Sequence, residues 1–271
     1  MRSGPTLLVC LCVVLAGCGT TSTGGGARTV NPALADTPTA SPTPEPWSGP
    51  PGVTQSSVDV RELASAHGQA LANRSVTVEL TTRRTWSNGT TLSAGTQRSY
   101  ADGERQFYRW NASAVPYRIA GDRTADVAYW QNDTVAVRRW GLENGSAEYE
   151  VYDDRPLDGL AVRFDPTGEQ TVLALLEPHD LSYDGTVTNG EETLYRLVAT
   201  GSDRSTSSQR SDVNVRVLVT EAGIIRSIGV RYQITVNGQP VLVGVQFVVS
   251  DLSDTTVPRP PWVNETLANA D

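Results

Sequence analysis

Val76, Val78 and Leu80 alternate with Thr77, Glu79 and Thr81, the period of a strand with one buried face. Comparable apolar runs recur at 97–101, 105–110, 116–121, 126–131, 134–140, 147–152, 181–188, 192–200, 212–220, 224–236 and 240–250. Asn88-Gly89, Asn144-Gly145, Asn189-Gly190 and Asn237-Gly238 punctuate them. Asn-Gly is a hairpin signal because both residues tolerate the positive φ that a tight turn demands. Two stretches follow the helical period instead. In the first, Leu63, Ala66, Ala70 and Leu71 share a face, Asp59 and Glu62 form a capping box, and Asn73 ends the helix. The second runs from Pro166 to Leu176, with Asp165 as its cap and Pro178 beyond its end.

The plan is therefore helix, strands, helix, strands. Hairpin turns imply an antiparallel sheet, and a sheet of about ten strands tends to curl. The expected fold class is α+β and mostly β: a curved antiparallel half-barrel with two helices covering its concave side. One domain spanning 57–263 accommodates it, with enough length for a sizeable core. Gly201 to Ser211 reads as a polar loop. The chain from Asp251 reads as irregular, with Pro258, Pro260, Pro261 and Trp262, and 264–271 as a C-terminal tail.

The N-terminus changes the picture. Arg2 precedes an apolar run from Leu7 to Ala16, which is too short to span a bilayer. Leu15-Ala16-Gly17-Cys18 closes that run and resembles the lipobox of secreted lipoproteins. The resemblance implies a signal peptide over 1–17, loss of Cys10 and Cys12 with it, and a lipid on Cys18. It also implies a protein held on the extracellular face of the cell membrane. Residues 18–56 follow as a Thr-, Pro- and Gly-rich tether that buries too little apolar surface to fold. Such a tether reaches about 35 Å when coiled and about 100 Å when extended. With one cysteine left in the mature chain, no internal disulfide can form, and packing alone must stabilise the fold.

Charge narrows the partners. All 22 basic residues are arginine, against 30 acidic residues, for a net charge of -8. Arginine-only basicity with an acidic excess is similar to proteins of halophilic archaea; codon bias alone would give the same lysine loss. The acidic balance argues against nucleic acid. No block of like charge appears along the chain to serve as a basic patch for anionic lipid.

Candidate chemistry is sparse. His67 lies by the apolar face of the first helix and His179 in a turn; neither has a second ligand or a nucleophile at a meaningful spacing. The lack of lysine excludes a Walker P-loop and Schiff-base catalysis. Asp153, Asp154 and Asp158 cluster before Gly159, but their spacing is not that of an EF-hand. No metal site or cofactor is indicated, and the expectation is a protein that is not an enzyme.

Aromatic residues are the remaining signal. Tyr108, Trp110, Tyr129, Trp130 and Trp140 are interleaved with Arg105, Arg109, Arg118, Arg138 and Arg139. One reading is a ligand-facing wall, with rings for a lipid-like chain and guanidinium groups for its headgroup. The other is cross-strand aromatic pairing inside the sheet, with arginine on the outer side. Asn73, Asn88, Asn111, Asn132, Asn144 and Asn264 are N-glycosylation sequons, several of them in expected turns.

Lipobox, tether, capped helix, antiparallel run, interposed helix and closing Pro-Trp segment together resemble a haloarchaeal family of surface lipoproteins. The architecture is also similar to lipoprotein carriers of the LolA and LppX type. That resemblance implies a half-barrel holding a hydrophobic ligand without catalysis. Two alternatives stay open: an envelope interaction module with a solid core and a protein partner, and a carboxylate-dependent envelope enzyme.

Overall fold

A computed structural model of the chain describes residues 47–102, 105–113, 117–119, 122–142, 144–153, 165–201 and 210–269. Cys18, Asp154, Asp158 and most of the expected 201–211 loop lie outside the described residues. The elements in chain order are α1 (Val60–Leu71), β1 (Val76–Trp86), β2 (Thr91–Ala101), β3 (Gln106–Ser113), β4 (Tyr117–Ile119), β5 (Asp122–Gln131), β6 (Val135–Leu142) and β7 (Ala147–Asp153). They continue with α2 (Glu169–Leu176), β8 (Ser182–Asn189), β9 (Glu192–Gly201), β10 (Ser211–Thr220), β11 (Ile225–Val236), β12 (Gln239–Ser250) and α3 (Pro261–Ala268).

Each alternating run forms a strand, which makes twelve rather than about ten. The order is β7-β6-β5-β3-β2-β1-β12-β11-β10-β9-β8, with β4 paired to β5. Two antiparallel meanders thus meet where β1 pairs with β12, from Thr77 opposite Ser250 to Trp86 opposite Val241. The result is an open, curved antiparallel sheet with β7 and β8 at its two edges.

The pleat sorts the side chains. On one face, Val78 stands opposite Val249 and Leu80 opposite Phe247, which in turn stands opposite Ile228. Val217 continues this row to Leu197. These residues pack with Leu63, Ala64 and Leu71 of α1 and Val172 and Leu176 of α2 into the main core. Phe247, Val217, Leu197, Leu63 and Leu176 have no measurable exposure; full burial of each such side chain is worth about 1.5–3 kcal/mol. This core draws on β1, β2 and β9–β12.

Asp59 caps α1 by accepting from the Arg61 and Glu62 amides, as expected. The reciprocal half of the capping box does not form, because the Asp59 amide donates to the Gly52 carbonyl at 2.7 Å instead. Buried Leu63, Ala64, His67, Gly68 and Leu71 define the inner face. Ala66 and Ala70 lie only at its margin. The second helix starts at Glu169, three residues later than expected, after Gly168 adopts a left-handed conformation (φ 79°). Asp165 still serves it from outside the helix: its Oδ2 accepts the Thr171 amide at 2.9 Å.

Two stretches differ from the sequence reading. Trp47, assigned above to the tether, donates through Nε1 to the Val53 carbonyl at 3.1 Å and meets Tyr183 edge-on at 4.8 Å. Tyr195 donates to the Ser48 carbonyl at 2.6 Å. The chain is therefore fixed to β8 and β9 from Trp47 onward, and the compact unit spans Pro46–Asp271. The supposedly irregular tail also contains a helix. Pro261 supplies the pre-set φ of a first helical position, and α3 follows. Val263 is fully buried with Trp130, Val137 and Val257, and Trp262 and Leu267 pack beside them. Trp130 and Val137 point away from the α1 and α2 side, so the third helix covers the opposite face of the sheet. Among the described residues no helix is long and apolar enough to cross a membrane.

Candidate ligand-binding face

β3, β5, β6 and β7 extend the sheet beyond the part that α1 and α2 cover. On the α1 and α2 side, Tyr108 stands opposite Tyr129, Tyr129 opposite Arg138, and Arg138 opposite Glu150. Ala136 stands opposite Tyr152 on the same face. Tyr108, Tyr129 and Ala136 form a small buried cluster with Tyr152 against it.

Polar atoms in this cluster are linked. The Tyr129 hydroxyl donates to Gln131 Oε1, and Gln131 Nε2 donates to Gln106 Oε1 at 2.7 Å. Arg138 forms an ion pair with Glu150. Its guanidinium carbon lies 4.0 Å from the centre of the Trp140 ring and 5.5 Å from that of Tyr152, an arrangement that favours the cation on both rings. Burial pushes the Tyr108 hydroxyl up to about 12. Burial, and then the neighbouring Tyr152, also raise Tyr129. Tyr152 rises to about 12, through burial first and the Glu150 carboxylate second. For Glu150, burial acts upward, but Tyr152 and Arg138 beside it outweigh that and hold the carboxyl below its ordinary range. These tyrosines are thus neutral donors at any physiological pH. Arg138 Nε is buried and makes no hydrogen bond, whereas the Tyr152 hydroxyl lies against Glu150 and Arg138. A buried orphan donor costs about 1–3 kcal/mol, which a ligand oxygen would offset.

The five aromatic residues singled out from sequence do not share one wall. Tyr108, Tyr129 and Trp140 lie on this face. Trp110 pairs in register with Gln97 and Val127; its side chain is outside the described ones. Trp130 lies apart from Tyr108, Tyr129 and Trp140. It follows Tyr129 directly in a strand and must point to the opposite face, where it is 2% exposed beneath α3 with Arg259 over its ring at 4.7 Å. Arg109 and Arg139 also lie on that opposite face. Both bind Asp126, at 3.9 and 2.7 Å. Gly141, opposite Asp126 in register, leaves room for this: a Cβ there would fall 1.6 Å from Asp126 Oδ1. Arg138 was among the interleaved arginines read as headgroup ligands from sequence; Glu150, Tyr152, Gln106 and Gln131 were not among the candidates. Strand parity was the available signal, since Arg138 and Trp140 are two apart, as are Glu150 and Tyr152.

Both histidine rings are buried. His67 sits between α1, α2 and β11: Nδ1 accepts the Ile225 amide at 3.1 Å, and Nε2 donates to the Thr167 carbonyl at 2.9 Å. His179 follows α2, its amide donating to the Leu176 carbonyl at 3.0 Å. Among the described residues no group of three His, Cys, Asp or Glu side chains could hold a metal ion.

Residues 4–266 match DUF7537, a family of unknown function. The chain belongs to this family. No curated protein matches it. Similar solved structures include LprF from Mycobacterium bovis, at 9% identity and a TM-score of 0.38 over 76% of this chain and 99% of that one. A DUF1329 family protein from Desulfovibrio piger is similar at 12% identity and a TM-score of 0.28, covering 77% and 97% respectively. A LolA superfamily protein from Nitrosomonas europaea is similar at 11% identity and a TM-score of 0.25, covering 76% and 97%.

Proposed function

We propose that this member of DUF7537 is a lipid-anchored protein of the extracellular membrane face that binds a hydrophobic ligand without catalysis. The supporting observation is Arg138, packed against the rings of Trp140 and Tyr152 and paired with Glu150, beside the Tyr108–Tyr129 pair. The rings offer faces for an acyl or isoprenoid chain, while Arg138 Nε offers an unused donor for its polar end. On this reading the ligand sits on the β3 and β5–β7 half rather than between the sheet and the α1 and α2 helices, where side chains of the main core fill the space. Cys18 within its lipobox supports the anchor, and an all-arginine acidic composition supports a salt-rich habitat.

That packed main core also favours a second reading, an envelope interaction module that meets a protein partner through its outer surface. Mass spectrometry of organic extracts from the natively expressed compact unit Pro46–Asp271, which lacks the anchor and is purified without detergent, separates the two. The carrier reading expects a stoichiometric lipid; extracts without lipid discard it in favour of a partner.

A further inference from the structure

The other face of the β1–β12–β11–β10–β9 region holds a trough of about 660 Å³. Arg83, Arg196, Arg216 and Arg231 line it, with Thr81 and Gln246 between them. Each strand contributes at most one of these arginines, which is why no basic block shows along the chain. Sheet register assembles them. Arg83 and Arg231 stand on either side of Gly244, and Arg216 stands opposite Gly229. Two of the four are engaged: Arg83 donates to Thr91 Oγ1 at 2.8 Å, and Arg196 is paired with Asp184 at 2.8 Å. Among the described residues, Arg216 and Arg231 make no ion pair or side-chain hydrogen bond, in a chain whose acidic residues outnumber its basic ones.

The floor is an independent observation. Gly229 and Gly244 lie inside strands, where glycine loses backbone entropy and contributes no side chain to packing. Neither has a positive φ. A Cβ at either would meet no atom of the protein within 4 Å. No packing contact within the protein requires glycine at either position, whereas the close approach of a bound molecule does.

We infer that this trough is a binding site for a small, multiply charged, phosphate-bearing ligand. Guanidinium forks suit tetrahedral and planar oxyanions through paired N–H donors, and the volume suits a small organic molecule rather than a chain. The site lies on the opposite face from the tyrosine cluster and does not depend on the hydrophobic-ligand reading.

Isothermal titration of the full chain with inorganic pyrophosphate at low chloride tests it. Saturable one-to-one binding is expected, lost in the Arg216→Gln/Arg231→Gln double variant and unchanged in Arg61→Gln, whose charge pairs with Glu177 elsewhere. Gly229→Ala and Gly244→Ala keep every charge. Each is expected to weaken binding at least tenfold while raising thermal stability, as alanine does at an unstrained strand position. Alanine variants that bind as wild type would show adsorption to exposed arginine and overturn the site, as would failure of pyrophosphate to bind. Phosphatidylglycerol vesicles supply the other source of phosphate. Vesicle binding that pyrophosphate competes away assigns the site to a lipid headgroup. Vesicle binding that pyrophosphate cannot displace marks a flat electrostatic surface and also overturns it.

Discussion

His67 takes the Ile225 backbone amide on Nδ1 at 3.1 Å, a bond between α1 and β11 across most of the domain sequence. Because Nε2 donates to Thr167 at 2.9 Å, both nitrogens are used only when the ring is neutral. A proton on Nδ1 would face the Ile225 N–H. Burial lowers the folded-state value to about 4, from 6.5 in the unfolded chain. The unfolded state therefore binds more protons between these values. The contribution is complete above pH 6.5, declines as pH falls, and is gone near pH 4; its full size is about 3 kcal/mol. Urea unfolding at pH 7.5, 5.5 and 4.5 should show this decline, and His67→Leu should flatten it while lowering stability at pH 7.5. An NMR titration placing folded His67 near 6.5 would contradict it.

Gly168 allows α2 to begin over β12. Its φ of 79° is left-handed, and a Cβ would lie 2.7 Å from the Phe247 ring, which has no measurable exposure. Gly89 is also left-handed (φ 87°), but a Cβ there meets nothing within 4 Å. Both alanine variants carry the backbone cost of about 1–2 kcal/mol. Gly168→Ala adds overpacking of about 1–3 kcal/mol. Chemical denaturation should therefore place Gly168→Ala below Gly89→Ala; equal losses would mean that the Phe247 contact relaxes freely.

The same contrast shows what local pattern can reveal. Strands such as β10 were readable because they bury alternate residues, and hairpins because the glycine of each Asn-Gly pair bears the required positive φ. Gly168 was missed because Pro166 is an equally good first helical residue; the approach to Phe247, far away in sequence, decides between the two starts. The third helix was hidden by its prolines, since Pro261 starts a helix as readily as it interrupts one. Trp47 looked like tether because its partners, Tyr183 and Tyr195, belong to strands far along the chain. The arginine trough was invisible for the same reason: its residues come from separate strands, and only register brings them together.

The six sequons differ in availability. Asn73, Asn88, Asn111, Asn144 and Asn264 are exposed, whereas Asn132 is half-buried. Asn132 Oδ1 accepts from the Thr134 and Val135 amides, at 3.2 and 2.9 Å, but Asn88 and Asn144 make the same kind of turn contact, so burial is what sets Asn132 apart. If native material is N-glycosylated, peptide mapping should find Asn132 the least occupied site. Intact mass without glycan at any of the six would remove the modification altogether.

Trp130 and Arg138 lie on opposite faces of the sheet, and their substitutions should separate stability from function. Trp130 is 2% exposed in the cluster beneath α3, so Trp130→Ala should cost about 3–5 kcal/mol. Lipid recovered per mole of folded protein should not change. Arg138→Gln acts in the opposite way. It leaves the Glu150 side chain, which is 43% exposed, to be hydrated by water, so no buried charge is stranded and the stability cost should be smaller than that of Trp130→Ala. It also removes the guanidinium from between Trp140 and Tyr152, and with it the donor available to a ligand's polar end. Co-purifying lipid should fall at least severalfold in Arg138→Gln, and further when Tyr152→Phe is added. Retention of lipid in that double variant, or its selective loss in folded Trp130→Ala, would move the ligand to the α3 side of the sheet and refute the tyrosine face as its site.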